Sequence, residues 1–548
     1  MQNEKFTSNY IIFAVLALGI IFGYSKLFPA ATGRAPAETP AVQKSAAATP
    51  AEQTAVEPVS AENLWAESGN GSEGSVIEIE TPLYTARVNT QGGTIESWVL
   101  KNYLEDPENG SGPLKLVGGE TTAPEAVLSF EGTNIPSKIP FRYKGETAVK
   151  VDGLSREIAL VYEKGGMKIV KTLSFSPDTY LIGGRYDIRN RSSATVEYAV
   201  HFLQNGKVEE ERYGPSDALI ASVGGEVKRF NGTDDIGKPL SGKVEWLGFS
   251  KKYFILASLP EYGRNTGVSA SAVGDTVKTR FSYGRFSIPP GSEAVRQWKS
   301  YLGPKREKLL AAAGYGFENA IDYGWFGTLS RIAVRILNYT NGFFNNYGVS
   351  IIVITFAFRL LFLPMSVKGM RSMKKMQKKM ETIKPKLDAL KEKFKDDKKR
   401  QNEEMMKLYS SHGINPLSSL GGCLPMLAQV PVFIALYYGL LYSIDLRHSS
   451  FLWISDLSAP EMLFDIPLTS VPFRILPLAM GISWWFSTKL TPIAAAGDTA
   501  AMQAKIMQFM PVVFTFVMWD FPSGLVLYWT ASNVLSVAQQ IYINRSTA

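Results

Sequence analysis

One basic residue stands deep inside a long apolar stretch of the chain. Arg359 lies 12 residues after Tyr347, where the apolar run begins, and nine residues before Lys368. A guanidinium at such a depth in a membrane normally faces a protein interior or a water-filled cavity. The alternative is that the side chain snorkels toward the lipid headgroups. Because no Asp or Glu occurs in the apolar runs near that depth, the sequence predicts a positive charge that stays available to water or to a transient acidic partner.

Other polar residues interrupt the apolar runs and are candidates to line the same cavity. Thr355 lies one helical turn before Arg359. The others lie in two later runs, at Gln429, Ser532, Asn533, Gln539 and Gln540. Hydrogen bonds between helices explain any one of these residues equally well. Together with Arg359 they favour a hydrophilic groove among membrane-spanning helices.

A basic segment follows the run that holds Arg359. Residues 368–412 contain 15 Lys and Arg against 7 Asp and Glu, an excess of 8 that equals the net charge of the whole chain. Apolar residues recur there at spacings of three and four, which is typical of a helix seam. They are Met373, Met376, Met380, Ile383, Leu387, Leu390 and Phe394, with Met405, Leu408 and Tyr409 on a returning arm. We expect a helical hairpin with basic outer faces, whose first arm is kinked or restarted by Pro385 and ended by Asp396 and Asp397.

The methionines of this hairpin have two interpretations. Methionine is flexible and polarizable, so the first interpretation is that Met373, Met376, Met380 and Met405 bind irregular apolar ligands. The other is that they pack the two arms of the hairpin together.

The residue types needed for most enzyme chemistry are scarce. Cys423 is the only cysteine, and the three histidines, His201, His412 and His448, lie far apart. The chain therefore contains few of the side chains that a metal site or a Ser-His-Asp catalytic centre needs. No phosphate-binding loop, HExxH or GxSxG pattern occurs. A GxGxxG match at residues 69–74 follows a polar stretch and precedes a strand-like run, the wrong context for a dinucleotide site. We expect no enzymatic activity, no cofactor and no metal.

The chain begins with an apolar segment, a polar segment and a β-rich segment. Residues 10–28 are long enough, at 1.5 Å per residue, to cross a hydrocarbon core of about 30 Å. We interpret residues 1–28 as an uncleaved signal anchor, with a cleavable signal peptide as the alternative. Residues 29–75 are rich in Ala, Pro, Thr and Ser and are interpreted as a flexible linker. Residues 76–302 alternate with period two between turn signals, which predicts a large antiparallel β-sandwich of a dozen or more strands.

Residues 303–346 are interpreted as a linker followed by an amphipathic helix in the membrane interface. One face is apolar and comprises Trp325, Leu329, Ile332, Ile336 and Tyr339. Ser330, Arg331 and Arg335 lie elsewhere on the helix. An ordinary helix packed on the sandwich is the alternative.

Five further membrane-spanning helices are predicted, which makes six crossings with the N-terminal anchor. Their ranges are 347–367, 423–443, 471–489, 506–521 and 523–543, the last two joined by the turn residues Phe521-Pro522-Ser523-Gly524. Short basic loops stay in the cytoplasm, which puts residues 368–412 there. The acidic loop at 444–470 and the β domain are then periplasmic, and both chain ends are cytoplasmic. The predicted fold class is a multi-domain membrane protein with six transmembrane α-helices, a periplasmic antiparallel β-sandwich and a cytoplasmic helical hairpin.

Three stretches carry a family resemblance. They are Asn415-Pro416-Leu417, residues 421–433 with the sequence GGCLPMLAQVPVF, and residues 521–529 with the sequence FPSGLVLYW. Weaker matches are Gln91-Gly92-Gly93 and Asp322-Tyr323-Gly324-Trp325. By these motifs the chain resembles, over nearly its whole length, the YidC family of bacterial membrane protein insertases in its Gram-negative form with a large periplasmic domain.

The resemblance implies a five-helix core around a groove that is open to the cytoplasm and to lipid and closed to the periplasm. Arg359 matches the family's groove arginine, and Thr355, Tyr528 and Trp529 match positions that line or close the groove. The implied β domain is similar to a sugar-mutarotase sandwich and contacts the Sec translocon. The implied partners are newly made membrane proteins, the Sec translocon, the lipid bilayer and the ribosome. The chain ends at Ala548, so the long basic ribosome-binding tail of some relatives is not expected.

The expected function is therefore an insertase of the bacterial inner membrane that transfers hydrophobic segments from the cytoplasmic side without nucleotide hydrolysis. Two rival functions stand beside it. A transporter or channel for an anionic solute also suits an intramembrane arginine, but inverted repeats, which many transporters have, are not evident. A membrane-anchored carbohydrate enzyme rests on the β domain alone, in which His201 is the only histidine.

Overall fold

The computed structural model describes residues 74–106, 112–207, 217–230, 243–260, 267–273, 276–412, 420–466, 471–490 and 498–546. The predicted anchor at residues 1–28 lies outside this part of the chain, as does nearly all of the predicted linker at 29–75. The motif Asn415-Pro416-Leu417 lies outside it as well. The chain divides into two compact units that meet in sequence between Ile321 and Asp322.

The first unit consists almost entirely of β-strands. They are β1 Val76–Glu80, β2 Tyr84–Asn89, β3 Thr94–Leu104, β4 Pro113–Val117, β5 Glu125–Glu131, β6 Ala148–Lys150, β7 Arg156–Lys164, β8 Met167–Phe175, β9 Leu181–Asn190, β10 Val196–Lys207, β11 Ala218–Val223, β12 Glu226–Phe230, β13 Val244–Ser250, β14 Phe254–Pro260, β15 Gly267–Val273, β16 Thr276–Ile288 and β17 Glu293–Pro304. Alternating burial along β8 shows why these residues form strands, since every second side chain faces the core.

The strands form three sheets. Their orders are β4-β3-β2-β1-β6, β15-β16-β10-β5 and β12-β11-β13-β14-β17-β9-β8-β7. Among the described strands of this unit, β1 with β6 is the one parallel pair. The prediction of a large antiparallel β domain is therefore confirmed. The strand arrangement is more elaborate than two simple layers, because a separate five-stranded sheet accompanies the other two.

The four-stranded and eight-stranded sheets pack face to face. Trp298 of β17 meets Phe202 of β10 in an edge-on contact with ring centroids 6.1 Å apart. Across the same interface the Tyr186 hydroxyl on β9 donates a 2.7 Å hydrogen bond to the Ala126 carbonyl on β5. Aromatic burial on this scale dominates the stability of such cores.

A buried lysine explains the motif Gln91-Gly92-Gly93. Lys171 occupies a core position on β8 and its Nζ donates to the carbonyl oxygens of Gly92, at 2.9 Å, and Ala126, at 3.1 Å. Burial lowers the pKa of Lys171 to about 8, partly offset by the nearby Glu125 carboxyl. Gly93 has a positive φ of 61°, and a Cβ built on it would lie 2.7 Å from Lys171 Cδ. Glycine is thus required at position 93 both by the positive φ of the backbone and by the close packing of Lys171.

His201 is buried on β10 between two serine hydroxyls. Its Nε2 lies 2.9 Å from Ser129 Oγ, and its Nδ1 lies 3.0 Å from Ser282 Oγ. Burial, with a smaller contribution from the Arg280 guanidinium, lowers the pKa of His201 to about 4. These hydrogen bonds account for the histidine structurally, and no cluster of metal-ligating side chains occurs among the described residues.

The lowered pKa of His201 predicts an acid-dependent loss of stability. The unfolded chain binds a proton at this residue near pH 6.5, whereas the folded chain does so only near pH 4. Stability should therefore fall as the pH decreases from 6.5 to 4, by up to about 3 kcal/mol from this residue. Replacing His201 with Gln should flatten that part of the pH profile, measured by amide hydrogen exchange at β10 in the full chain. The matched control is His412→Gln in the other unit, and equal profiles for the two variants would contradict the assignment.

The predicted linker that starts at residue 303 is not a linker. β17 continues to Pro304, a short helix α1 follows at Glu307–Ala313, and a 3-10 turn spans Phe317–Ala320. Phe317 is fully buried, with its ring 5.3 Å from that of Trp246 and 5.7 Å from that of Tyr301. The apolar residues of this segment cover the β domain, which is why the boundary between the two units comes later, at Ile321.

The second unit consists mostly of helices. They are α2 Gly327–Phe344, α3 Tyr347–Lys393, α4 Lys398–Ser411, α5 Leu420–Tyr442, α6 Ile475–Leu490, α7 Asp498–Val517 and α8 Ser523–Ser546. A 3-10 turn spans Ile444–Leu446, and a small antiparallel hairpin pairs β18 Phe464–Ile466 with β19 Val471–Phe473. Within the described residues, α3 is the one helix that combines the length and the hydropathy of a membrane span. Shorter apolar stretches lie at Gln429–Tyr442 and Gln508–Val517.

Several predicted boundaries differ from the observed ones. The span at 347–367 and the first arm of the hairpin are one continuous helix, α3, which passes through Pro385 without restarting. Asp397 does not end this arm but caps α4, because its side chain accepts a hydrogen bond from the Arg400 amide. The span predicted from residue 471 begins later, at Ile475, since β19 occupies 471–473. The span predicted at 506–521 starts earlier, at Asp498, and ends at Val517.

Candidate functional site

Arg359 contacts the neighbouring helix α8. Its Nε donates to Ser532 Oγ at 3.2 Å, and one terminal nitrogen donates to Ser532 Oγ at 2.7 Å and to the Ser532 carbonyl at 3.0 Å. The arginine lies about 18 Å along α3 from Tyr347, at 1.5 Å per residue. No carboxylate within the described ranges pairs with it. The guanidinium is therefore held by neutral oxygens, and no carboxylate of the described residues neutralises its positive charge.

The residues around Arg359 are packed to different degrees. Thr355 is buried, and its hydroxyl donates to the Ile351 carbonyl of its own helix at 2.6 Å. Tyr528 is also buried, within electrostatic range of the guanidinium and interacting with the side chain of Gln429. Gln429 itself is partly exposed. Arg359, Gln429 and Tyr528 therefore form one polar group from α3, α5 and α8, whereas Thr355 bonds within its own helix.

Asn533 points to a different neighbour. It is buried, and its Nδ2 lies 3.5 Å from the Met480 carbonyl on α6. About two helical turns further along α8, Gln540 Nε2 lies 3.5 Å from Ser487 Oγ, again on α6. These residues match the alternative interpretation of hydrogen bonds between helices. They tie α8 to α6 and are separate from the Arg359 group.

Trp529 belongs to an aromatic cluster drawn from four helices. Its ring centroid lies 4.7 Å from Phe433 of α5, 5.1 Å from Phe514 of α7 and 6.0 Å from Trp484 of α6. Phe433 also stacks on Tyr528 at 6.4 Å. Sequence reasoning missed Trp484 and Phe514, because an aromatic residue in an apolar run carries no signal of its partner. The cluster packs the helices together directly beside the arginine.

One end of the helical unit is closed by polar contacts. Arg474, before α6, forms a 2.6 Å ion pair with Asp520, after α7. The buried Glu461 accepts a 2.6 Å hydrogen bond from the Leu476 amide and so caps α6. The turn at Pro522-Ser523-Gly524 contacts the loop that contains Glu461, since the Gly524 amide donates to the Leu457 carbonyl at 2.8 Å. A Cβ on Gly524 would approach that oxygen to 2.9 Å, which explains this glycine.

The hairpin methionines mostly face inward. Ile383 and Leu387 of α3 are buried, and the residues packed on them are Met376, Met380, Met405, Leu408 and Tyr409. Met373 is partly buried and lies outside that cluster. Met406, which the sequence pattern did not single out, is 55% exposed. The packing interpretation therefore describes three of the four predicted methionines, and Met406 is the more accessible one.

Helix α2 has an exposed apolar face. Trp325, just before it, and Tyr339 and Phe343 within it are largely exposed, with Ile332 and Ile336 on the same side. Leu329, predicted on this face, packs against the helical core, and Ser330, predicted on the polar side, is fully buried. Ser330 Oγ donates to the Tyr323 carbonyl, which satisfies the buried hydroxyl.

The surface of the helical unit defines the class of protein. Large apolar side chains are exposed on most of its helices, among them Phe356, Leu361, Ile482, Phe509, Phe516 and Val534. A water-soluble surface does not carry so many, whereas lipid contact requires them. Together with the isolated arginine and the β unit, this surface defines a helical membrane protein with a large extramembrane β domain.

Comparison with known proteins identifies the family. The family described as 60Kd inner membrane protein matches residues 339–548, and the family described as YidC periplasmic domain matches residues 76–335. The Membrane protein insertase YidC of Syntrophus aciditrophicus is 37% identical over 482 residues, which cover 86% of this chain and 85% of the relative. That of Oleidesulfovibrio alaskensis is 36% identical over 570 residues and covers both chains completely. A crystal structure of an active YidC insertase, 18% identical, covers 85% of this chain and 94% of the other with a TM-score of 0.34.

The chain belongs to the YidC family of membrane protein insertases. It is accordingly an inner-membrane insertase with a periplasmic β domain, and it is not an enzyme. Its substrates are membrane proteins, which it delivers to the lipid bilayer.

Proposed function

We propose that this insertase moves client segments through a hydrophilic groove lined by Arg359, Gln429, Tyr528 and Ser532. The observation that carries the proposal is the guanidinium of Arg359, whose described hydrogen-bond acceptors are the two oxygens of Ser532. A buried cation without a carboxylate keeps an electrostatic attraction for acidic groups that enter from outside. Thr355 and Trp529 lie on two of the helices that form this group, and Asn533 ties α8 to α6.

The groove would act by lowering the barrier to translocation. A polar segment must otherwise cross about 30 Å of hydrocarbon, in which each unsatisfied polar group costs several kcal/mol. Water and a fixed positive charge part of the way across shorten that path. The apolar part of the client then partitions into lipid, which supplies the driving force without nucleotide hydrolysis.

We also propose the topology and partners of the groove. In this topology the predicted anchor at residues 1–28 and the helices α3, α5, α6, α7 and α8 make six crossings. Both chain ends and the basic hairpin then lie in the cytoplasm, following the positive charge of residues 368–412. We assign client capture to this hairpin, in which Met406 is exposed and Met373 is partly buried outside the packed cluster. Contact of the β domain with the Sec translocon is supported by the family resemblance, and the basic hairpin is the proposed contact for the ribosome.

Thiol labelling tests whether the groove is hydrated. In a Cys423→Ser background, the Gln429→Cys variant should react with a membrane-impermeant maleimide added from the cytoplasmic side. The matched control is Leu361→Cys, because Leu361 is 67% exposed on the surface assigned to lipid and should remain unlabelled. Equal, slow labelling of both variants would mean that no aqueous groove reaches Gln429.

The β domain is predicted to be dispensable for insertion itself, because none of its described residues acts on the bilayer. A deletion that stops near Arg296 would expose Trp298, Tyr301 and Phe317, which are buried in this unit. The deletion should therefore run from Val76 to Ile321, joining the N-terminal segment to Asp322. Client insertion, scored by protease protection, should stay within about twofold of the full chain, a change of about 0.4 kcal/mol. A variant that reaches the membrane and folds but is inactive would place an essential step in the β domain.

A further inference from the structure

An apolar cavity lies between helices α6 and α7, away from the Arg359 group. Its volume is about 410 Å³, within the range of about 300 to 1,000 Å³ typical of small-ligand sites. Leu478, Ile482 and Phe486 form one wall, and Val512 and Phe516 form the other. All five are exposed, from 36% at Leu478 to 73% at Phe516, so no described part of the chain covers the cavity.

Within the cavity the two helices touch closely at one point. A Cβ on Gly481 would lie 2.0 Å from Thr515 Oγ1, so only glycine allows this approach. The Thr515 hydroxyl is turned back to the Pro511 carbonyl at 2.8 Å, which leaves an apolar floor. The bulky side chains on either side of this contact then form the walls. The cavity is therefore a fixed feature of the helix pair rather than a loose gap.

A lysine lies just beyond the cavity and contacts one of its lining residues, Trp485. Lys489 follows Leu478 by 11 residues, close to three whole helical turns, and so lies on the same side of α6 about 16 Å further along the axis. That distance is about half of a 30 Å hydrocarbon core, the thickness of one leaflet. The Lys489 ammonium lies 5.1 Å from the ring centroid of Trp485, which also lines the cavity. Among the described residues no carboxylate pairs with it, and residues 491–497 carry no charge.

We propose that this cavity holds an acyl chain of an anionic phospholipid, with the phosphate of its headgroup at Lys489. An apolar groove with a cation beyond one end, about one leaflet from its other end, matches the shape and charge of such a lipid. The lysine could instead serve only to complement the dipole at the C-terminal end of α6. An apolar client helix is the other candidate occupant. The proposal requires α6 to lie in a bilayer, but it does not require Arg359 to attract clients, so its failure is distinct from failure of the groove.

Quenching of Trp485 fluorescence by brominated lipid tests the proposal directly. The full chain is reconstituted in phosphatidylcholine vesicles that contain brominated phosphatidylglycerol or, in a parallel series, brominated phosphatidylcholine. The chain has 10 tryptophans, so the Trp485 signal is taken as the difference from a Trp485→Phe variant. Half-maximal quenching should need about fivefold less of the anionic lipid, as expected for one lysine at the membrane surface. The Lys489→Gln variant should lose this preference.

A second pair of variants tests the cavity itself. Val512→Phe fills the cavity and should reduce quenching by the anionic lipid. Val534→Phe is the control, because Val534 is 54% exposed on α8, against 52% for Val512, and lies outside the cavity. Equal quenching by both lipids, or a preference that survives Lys489→Gln, would overturn the proposal in favour of an ordinary lipid shell. A photocrosslinker at Ile482 tests the client helix as the occupant. If it crosslinks a client helix and added anionic lipid does not reduce the yield, the lipid proposal is overturned and the client is the occupant.

Discussion

Replacing Arg359 with Ala should reduce the insertion of clients with acidic translocated tails by about tenfold, equivalent to about 1.4 kcal/mol, and should leave clients with neutral tails nearly unchanged. The reason is that Arg359 is held by the two oxygens of Ser532 and keeps its full charge, so an acidic tail is attracted while it crosses. The measurement is protease protection of paired clients that differ only in the charge of the tail, in membrane vesicles that contain each variant.

Two further substitutions separate charge from geometry. If charge alone matters, Arg359→Lys should keep most of the insertion activity. If the planar guanidinium with its paired donors is needed, Arg359→Lys should lose activity as Arg359→Ala does. Ser532→Ala removes the hydroxyl but not the backbone acceptor, so the charge stays in place and the effect should be small. The strongest comparison pairs Arg359→Glu with a client whose tail acids are changed to Lys, where insertion should be restored. Normal insertion of the acidic client by Arg359→Ala would show that the arginine has a structural role only.

Deleting the cytoplasmic hairpin should abolish insertion while the membrane-spanning helices remain folded. The deletion replaces Lys374 to Lys407 with a short Gly-Ser segment, and so removes the distal half of α3 and most of α4. The physical reason is that, in the proposed topology, clients arrive from the cytoplasmic side, where this segment presents the chain's excess positive charge. Client insertion is measured as before, and undiminished insertion by the deletion variant would remove the hairpin from the mechanism.

Point substitutions then ask which part of the hairpin is needed. Ile383→Ser with Leu387→Ser removes its buried centre and should unfold it, at a cost on the order of 2 to 5 kcal/mol for each residue. That double variant should resemble the deletion. Met406→Ser changes an exposed methionine without disturbing the packing, so a loss of insertion there would point to direct client contact. Full activity of the Ile383 and Leu387 double variant would show that a folded hairpin is unnecessary.

The periodic parts of the sequence predicted the fold well. Alternation over residues 76–302 predicted the antiparallel β domain, because strands such as β8 bury every second side chain. The segment from Pro304 to Ile321 was not predicted, since short apolar runs such as that around Phe317 do not reveal which surface they cover. Likewise, Pro385 suggested a break in the hairpin arm, whereas α3 continues through it, because one lost hydrogen bond is tolerated in a long helix.

The sequence singled out polar residues that contact one another in the helical unit, but not which of them pair. The depth of Arg359 in an apolar run was visible, and Ser532 was among the polar candidates. Ser532 supplies both acceptors, whereas Asn533 beside it bonds to Met480. This difference depends on the rotation of α8 about its axis, which no local sequence pattern determines. The ion pair between Arg474 and Asp520 was missed for a similar reason, because 46 residues separate the partners.

Reconstitution of the purified chain tests the central claim most directly. The chain alone is placed in liposomes without nucleotide, a small two-span client with an acidic tail is added, and insertion is read from the protease-protected fragment. The account predicts a protected fragment well above that of empty liposomes, which decreases about tenfold with Arg359→Ala, a loss of about 1.4 kcal/mol. A yield no greater than that of empty liposomes, from protein shown to be folded, would contradict the claim that this chain inserts membrane proteins by itself.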